Sequence, residues 1–190
     1  GVKYDFGAVM ARMRKLRARI SHNDSVHRYT KLGVDVYIGN GRFTGADTIQ
    51  VEGPAGNRTL TFAKAAVCTG ARASAPPTPG LQEAGYLTNE TIFSLTELPP
   101  RLGVIGAGPI GCELAQSFAR FGSQVYLIET IHGILPNEDR DAADIVEQQM
   151  LRDGVKLLCC GKDLKVSRTD NGKRLTVDSH GQRYDVTVDE

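Results

Sequence analysis

An α/β fold is predicted for the second half of this chain: a parallel sheet followed by an antiparallel meander. Three observations predict it. Residues 102–160 alternate short apolar runs with amphipathic helical stretches. A G-x-G-x-x-G run, Gly106-Ala107-Gly108-Pro109-Ile110-Gly111, sits where the first apolar run gives way to a helical one. Residues 164–188 hold β-type runs joined at Asp170-Asn171-Gly172 and Ser179-His180-Gly181. Strands alternating with helices imply parallel pairing through right-handed crossovers. Turns of the Asn-Gly and His-Gly kind imply hairpins.

The 190 residues are 41% hydrophobic and 24% charged, with formal net charge +1 and no Trp. Such a balance points away from nucleic acid and from anionic membranes as partners. No apolar run approaches the roughly 18 residues of a membrane helix, and a cytoplasmic protein is expected. The chain begins at Gly1 rather than Met and is expected to be a cut piece of a longer protein. Its cysteines, Cys68, Cys112, Cys159 and Cys160, show neither C-x-x-C nor C-x4-C spacing. The neighbours Cys159 and Cys160 are expected as reduced strand residues, because a bridge between them strains the backbone. His22 and His27 have no Cys or carboxylate partner at ligand spacing, so no metal site is expected.

Along the chain, residues 5–20 read as a helix with Val9, Met13, Leu16 and Ile20 on one stripe. Its Arg and Lys residues lack interleaved aromatics and read as a solvated face rather than a nucleic-acid arm. A short helix over 25–32 is stopped by Gly33. Residues 34–39, 42–45, 48–53 and 58–62 are short β-type runs punctuated by Gly, Asn and Pro. Residues 65–68 end another apolar strand in a Thr-Gly turn. The Pro-rich stretch 76–100 reads as a domain boundary, dividing 1–95 from 96–190.

In the second half, strands are expected at 102–105, 124–129 and 155–160, with helices at 109–121 and 139–152. Strand, glycines, helix, strand and acidic residue together meet the context of a dinucleotide fingerprint. Gly106 permits the tight turn, Gly108 lets a pyrophosphate approach the backbone, and Gly111 lets helix and strand pack closely. Pro109 suits the first helical turn, whose free N–H groups and positive end favour a phosphate. Glu129 closes the second strand, where it would accept from a ribose 2′-hydroxyl. Such a carboxylate repels a 2′-phosphate, so NADH is expected over NADPH. Glu113 complements the helix dipole or serves the cofactor; its chemistry alone leaves both open. The turn 161–163 lies at the carboxyl edge of the sheet, within reach of a ligand for Asp163.

The segments GNGRFTG (39–45), AVCTGAR (66–72), YLTNETIFSLTELP (86–99), GVIGAGPIGCELA (103–115) and ILPNEDRD (134–141) resemble one family in order and spacing. It is the class I pyridine nucleotide–disulfide oxidoreductases, flavoproteins such as dihydrolipoamide dehydrogenase and mercuric reductase, with the mercuric-reductase-like branch most similar. The resemblance implies that residues 1–95 are part of an FAD-binding domain and 96–190 an NAD-binding domain of Rossmann type lacking its C-terminal return. It implies FAD contacts from Gly41 and from Thr69, Gly70 and Ala71. It implies NAD(P) pyrophosphate contacts along Gly106–Gly111, adenosine ribose contacts from Glu129, and a place for Glu113 where nicotinamide meets flavin. The family passes hydride from NAD(P)H to FAD, then electrons to a disulfide or metal-ion acceptor.

The family's first glycine fingerprint, its redox C-x4-C and its dimerisation domain with a His–Glu base have no match here. The resemblance therefore implies a central fragment with no catalytic residue, inactive alone and without stoichiometric FAD. The full-length protein is expected to be a homodimer. The fragment is expected to self-associate through strand edges at 34–38 and 65–68. A stand-alone NAD-dependent dehydrogenase without flavin and a non-catalytic NADH-sensing module are the alternative readings.

Overall fold

The computed structural model describes residues 4–190. It divides into two units: the described residues up to Arg12 together with Ala73–Glu190, and Met13–Arg72. The division falls inside α1 (Phe6–Ser21). Phe6 and Met10 are the buried residues of this helix, and Phe6 lies 5.6 Å from the ring of Phe118 and 5.7 Å from that of Phe121. The buried residues are not those of the stripe read from the sequence, of which Val9 and Met13 are half-buried and Leu16 and Ile20 exposed.

In the smaller unit, α2 (Val26–Lys31) starts at Ser25, whose hydroxyl accepts from the Arg28 N–H at 3.2 Å. An antiparallel meander follows: β1 (Asn40–Phe43), β2 (Thr48–Gly53) and β3 (Gly56–Thr61), in that order across the sheet. The strands expected at 34–38 and 65–68 do not form. Their apolar residues supply β-propensity, but a strand exists only where a neighbour pairs its N–H and C=O groups. No such neighbour occurs among the described residues, and Val34, Ile38 and Val67 are exposed.

The larger unit opens with the Pro-rich segment and the one-turn α3 (Leu81–Ala84), both held against the later meander by the Val166 N–H, which donates to the Pro79 carbonyl at 2.9 Å. The alternating region then runs β4 (Arg101–Ile105), α4 (Pro109–Phe121), β5 (Gln124–Ile128), α5 (Arg140–Arg152) and β6 (Lys156–Leu158). Its strands form a parallel sheet ordered β4-β5-β6, with Ile105 beside Ile128 and Leu127 beside Leu157. The helix ends follow the expected chemistry. Gly122 adopts a left-handed φ of +114° after α4, and the Asp139 side chain caps α5.

β7 (Lys162–Thr169), β8 (Gly172–Ser179) and β9 (Gln182–Val188) form the antiparallel meander. Ile128, Leu158, Val166, Leu175, Val177 and Val188 join Leu81 and Ala84 in one buried core, which joins the two sheets of this unit. The chain after β9 returns to the start of β4. Asp189 receives the Arg101 guanidinium in a paired contact, at 2.6 Å and 3.1 Å, and accepts from the Arg101 N–H at 2.8 Å. Asp153 ties α4 to α5 by accepting from Arg120 and Gln116 at 2.8 Å and 2.7 Å. Among the described residues no helix is long and apolar enough to cross a membrane.

Candidate functional site

The glycine turn sits at the carboxyl end of β4, the edge where ligands bind in open α/β sheets. Each glycine meets a different constraint. Gly106 has φ +100°, a conformation that L side chains rarely adopt. A Cβ on Gly111 would overlap the carbonyl oxygen of Gly106 and come within 3.6 Å of Val104 Cγ1, so α4 lies directly on the turn. Gly108 has an ordinary φ of −72°, and a Cβ there would meet nothing within 4 Å. The space in front of Gly108 is open. It faces the first turn of α4, which begins with Pro109 and Ile110 and has no side-chain cap. Uncapped N–H groups at a helix start suit an anion.

Glu129 follows β5 at the neighbouring strand end and reaches back to this turn. Its Oε2 accepts from the Ala107 N–H at 2.8 Å. Its Oε1 accepts from the Thr130 N–H at 2.6 Å, the Thr130 hydroxyl at 3.1 Å and the Ile131 N–H at 3.3 Å. Partial burial opposes ionisation, but these donors outweigh it and hold the carboxyl below the usual glutamate range. Oε1 is crowded with donors, whereas Oε2 has one and retains a free acceptor direction. The first arginine after Glu129 in the sequence, Arg140, pairs with Asp144 at 2.9 Å and donates to the Ile134 carbonyl at 3.1 Å.

Behind the turn, the buried Cys112 thiol donates to the Ala107 carbonyl at 3.3 Å. Burial first, and then the charge of Glu129, push this thiol from 9.0 up to about 11. It is a structural donor and not a nucleophile. Below pH 9 the thiol is protonated whether the chain is folded or not, and its contribution is intact. As pH rises from 9 to about 11 the unfolded thiol ionises while the folded one keeps its proton, so stability falls across that window. Urea unfolding at the two ends of the window reads this slope, and Cys112→Ala is expected to flatten it.

The remaining predicted residues lie apart from this turn. Glu113 is exposed on α4, beyond its first turn. The segment 161–163 is not a free turn, because β7 already begins at Lys162. Asp163 is exposed with φ +54° in an irregularity of the β7–β8 register, and that bulge is why the strand could start early. In the smaller unit, Gly41 lies in β1, while Thr69, Gly70 and Ala71 lie in irregular exposed chain, Gly70 with φ +66°. A cavity of about 320 Å³ lies beside β4 and reaches the glycine turn, lined by Val104, Gly106, Gly111, Leu81, Tyr86 and Leu175 among others. Glu129 is not among its lining residues.

One grouping escaped the sequence reading. His132, Cys159, Cys160 and His180 place one ligand atom each within 4.8 Å of one another. No spacing rule finds them, since they come from the loop after β5, the turn after β6 and the β8–β9 hairpin. The group does not include His22 or His27. The adjacent cysteines are free, as expected, but they follow β6 rather than lying within it.

A glycine turn between parallel strand and helix, an acidic residue at the next strand end and a meander after it make an α/β unit of the kind found in the chain's structural neighbours, flavoprotein disulfide reductases. The chain belongs to the pyridine nucleotide-disulphide oxidoreductase family, whose sequence profile matches residues 6–188. It is 32% identical over 169 residues to the probable pyridine nucleotide-disulfide oxidoreductase RclA of Escherichia coli (strain K12), covering 88% of this chain and 37% of RclA. It is 28% identical over 186 residues to a mercuric reductase of Lysinibacillus sphaericus, covering 98% of this chain and 33% of that enzyme. The solved Cu(II) complex of the HOCl-induced flavoprotein disulfide reductase RclA from Escherichia coli superposes with TM-score 0.79 at 30% identity, over 97% of this chain and 41% of that one. LpdA from Mycobacterium tuberculosis gives TM-score 0.80 at 25% identity, over 100% of this chain and 42% of that one. The chain thus spans between 33% and 37% of the length of these two curated relatives.

Proposed function

We propose that residues 96–190 are the NADH-binding segment of an FAD-dependent oxidoreductase, and that residues 1–95 belong to its FAD-binding domain. In this reading the full-length homodimer passes hydride from NADH to FAD and on to a disulfide or metal-ion acceptor. The observation that carries the reading is the hydrogen bond from the Ala107 N–H of the glycine turn to the Glu129 carboxylate, beside the uncapped start of α4. Gly106, Ala107, Gly108, Pro109, Ile110 and Gly111 would hold the pyrophosphate, and Glu129 Oε2 would accept from the adenosine ribose. Glu113 would stand where the nicotinamide meets the flavin, with Asp163 at the rim of the sheet edge. Gly41, Thr69, Gly70 and Ala71 would contact FAD. When bound, the two cofactors supply the hydride chemistry; these residues bind and orient them. The family name and the two named relatives support the acceptor classes.

Titrating the chain with NADH, followed by nicotinamide fluorescence, tests this. Saturable binding is expected, without stoichiometric flavin in the purified chain. No saturable NADH binding would overturn the assignment of 96–190, and one flavin retained per chain would overturn the partial FAD site.

A further inference from the structure

The group formed by His132, Cys159, Cys160 and His180 plays no part in the dinucleotide site proposed above. Its four ligand atoms lie within 4.8 Å of one another. Cys159 Sγ is 3.2 Å from His180 Nε2, and Cys160 Sγ is 3.7 Å from His132 Nδ1. Tetrahedral zinc with thiolate and imidazole ligands sets neighbouring donor atoms roughly 3.3–3.8 Å apart, from bonds of about 2.3 Å and 2.0 Å. Both sulfur–nitrogen distances therefore already lie near the tetrahedral spacing. The two imidazole rings stand edge to face, with centroids 6.0 Å apart.

The backbone holds this arrangement independently of any ion. Cys160 adopts φ +54°, an uncommon conformation for a side-chain-bearing residue, which turns its thiol away from the strand direction. The Cys160 N–H donates to the Ile131 carbonyl at 2.9 Å, fixing the cysteine turn against the loop that carries His132. The Ser179 hydroxyl donates to the Cys159 carbonyl at 2.5 Å, fixing the same turn against the hairpin that carries His180. Cys159 is buried at the base, while both histidines are exposed at the rim, so an ion has an open approach.

We infer that His132, Cys159, Cys160 and His180 form a binding site for a thiophilic, tetrahedral cation, Zn(II) or Cu(I). Two sulfur and two nitrogen donors select this class over Mg(II) and Ca(II), which take oxygen ligands. Two thiolates and two neutral imidazoles make the Zn(II) form electrically neutral. The bound ion links three segments distant in sequence and braces the sheet edge next to Glu129.

The test uses Zn(II) and Co(II) with the reduced chain. Chelator competition is expected to give one Zn(II) per chain, and Co(II) to give thiolate charge-transfer and tetrahedral d–d bands. Cys159→Ser with Cys160→Ser abolishes the charge-transfer band. His132→Ala and His180→Asn each weaken Zn(II) binding at least tenfold; both sit at the exposed rim, and Asn tolerates the left-handed φ of +51° at residue 180. Zn(II) raises the melting temperature of the unaltered chain and not of the double Cys variant. Cys68→Ser, removing the exposed cysteine, changes nothing. The inference is overturned by absence of Zn(II) binding, by binding that survives the His variants at full strength, or by binding that requires Cys68. None of these outcomes depends on NADH, so they leave the dinucleotide reading standing or falling by its own titration.

Discussion

Gly111→Ala is expected to lower the stability of the chain by about 3 kcal/mol, toward the upper end of overpacking costs. The added Cβ meets a backbone carbonyl, that of Gly106, which cannot rotate aside as a side chain could. Either α4 lifts from β4 or the turn itself shifts. In a domain of this size each 1 kcal/mol moves the melting temperature by about 2–4 °C, so a drop of roughly 6–12 °C follows. NADH binding should be lost with it, because the displaced helix carries the free N–H groups. Gly108→Ala provides the contrast. Its φ is ordinary and no neighbour lies within 4 Å of the added carbon, so the melting temperature should hold within about 2 °C. The methyl group nevertheless fills the open space before the helix, and NADH affinity should fall at least tenfold. A melting temperature unchanged in Gly111→Ala, or NADH affinity unchanged in Gly108→Ala, contradicts this account.

The second large effect is expected at Glu129. Removing its carboxylate in Glu129→Ala takes an acceptor from three backbone N–H groups and one hydroxyl. Losing charge-assisted hydrogen bonds at a half-buried site costs about 1–3 kcal/mol. This contribution is present at neutral pH and is lost as acid titrates the carboxyl through its lowered value, below 4.5. The same substitution should erase cofactor preference. A 2′-phosphate of about −1.5 to −2 charges would stand beside the carboxylate, and after solvent screening the repulsion is roughly 1–3 kcal/mol, about 10- to 100-fold. Arg140 gives no relief, being paired with Asp144. Parallel titrations with NADH and NADPH at fixed salt should show this preference in the unaltered chain and its collapse in Glu129→Ala. Equal binding of both cofactors before substitution refutes the assignment.

The parallel sheet was legible because its signals are local and agree with one another. Apolar runs, the Gly106–Gly111 turn, Gly122 and Asp139 each dictate their own backbone and all favour the same alternation. The runs at 34–38 and 65–68 misled because propensity is local but pairing is not. The bulge at Asp163 misled for a related reason, as an irregular register leaves a turn-like segment inside a strand. The His132–Cys159–Cys160–His180 group was hidden by the fold itself. Three segments distant in sequence assemble it, and the two turn residues among its ligands, Cys160 and His180, carry positive φ that composition does not announce. The adjacent cysteines were the one visible trace.

The bond from the Ala107 N–H to Glu129 has a consequence for how quickly and how selectively a ligand is received. A loop that must be ordered on binding costs about 0.5–1.5 kcal/mol for each immobilised side chain, and the cost appears as slow or weak capture. Here the turn is already clamped to the adjacent strand, so that entropy is lost once, during folding. On the proposed function, a dinucleotide would meet a glycine turn and a ribose acceptor already joined through one carboxylate.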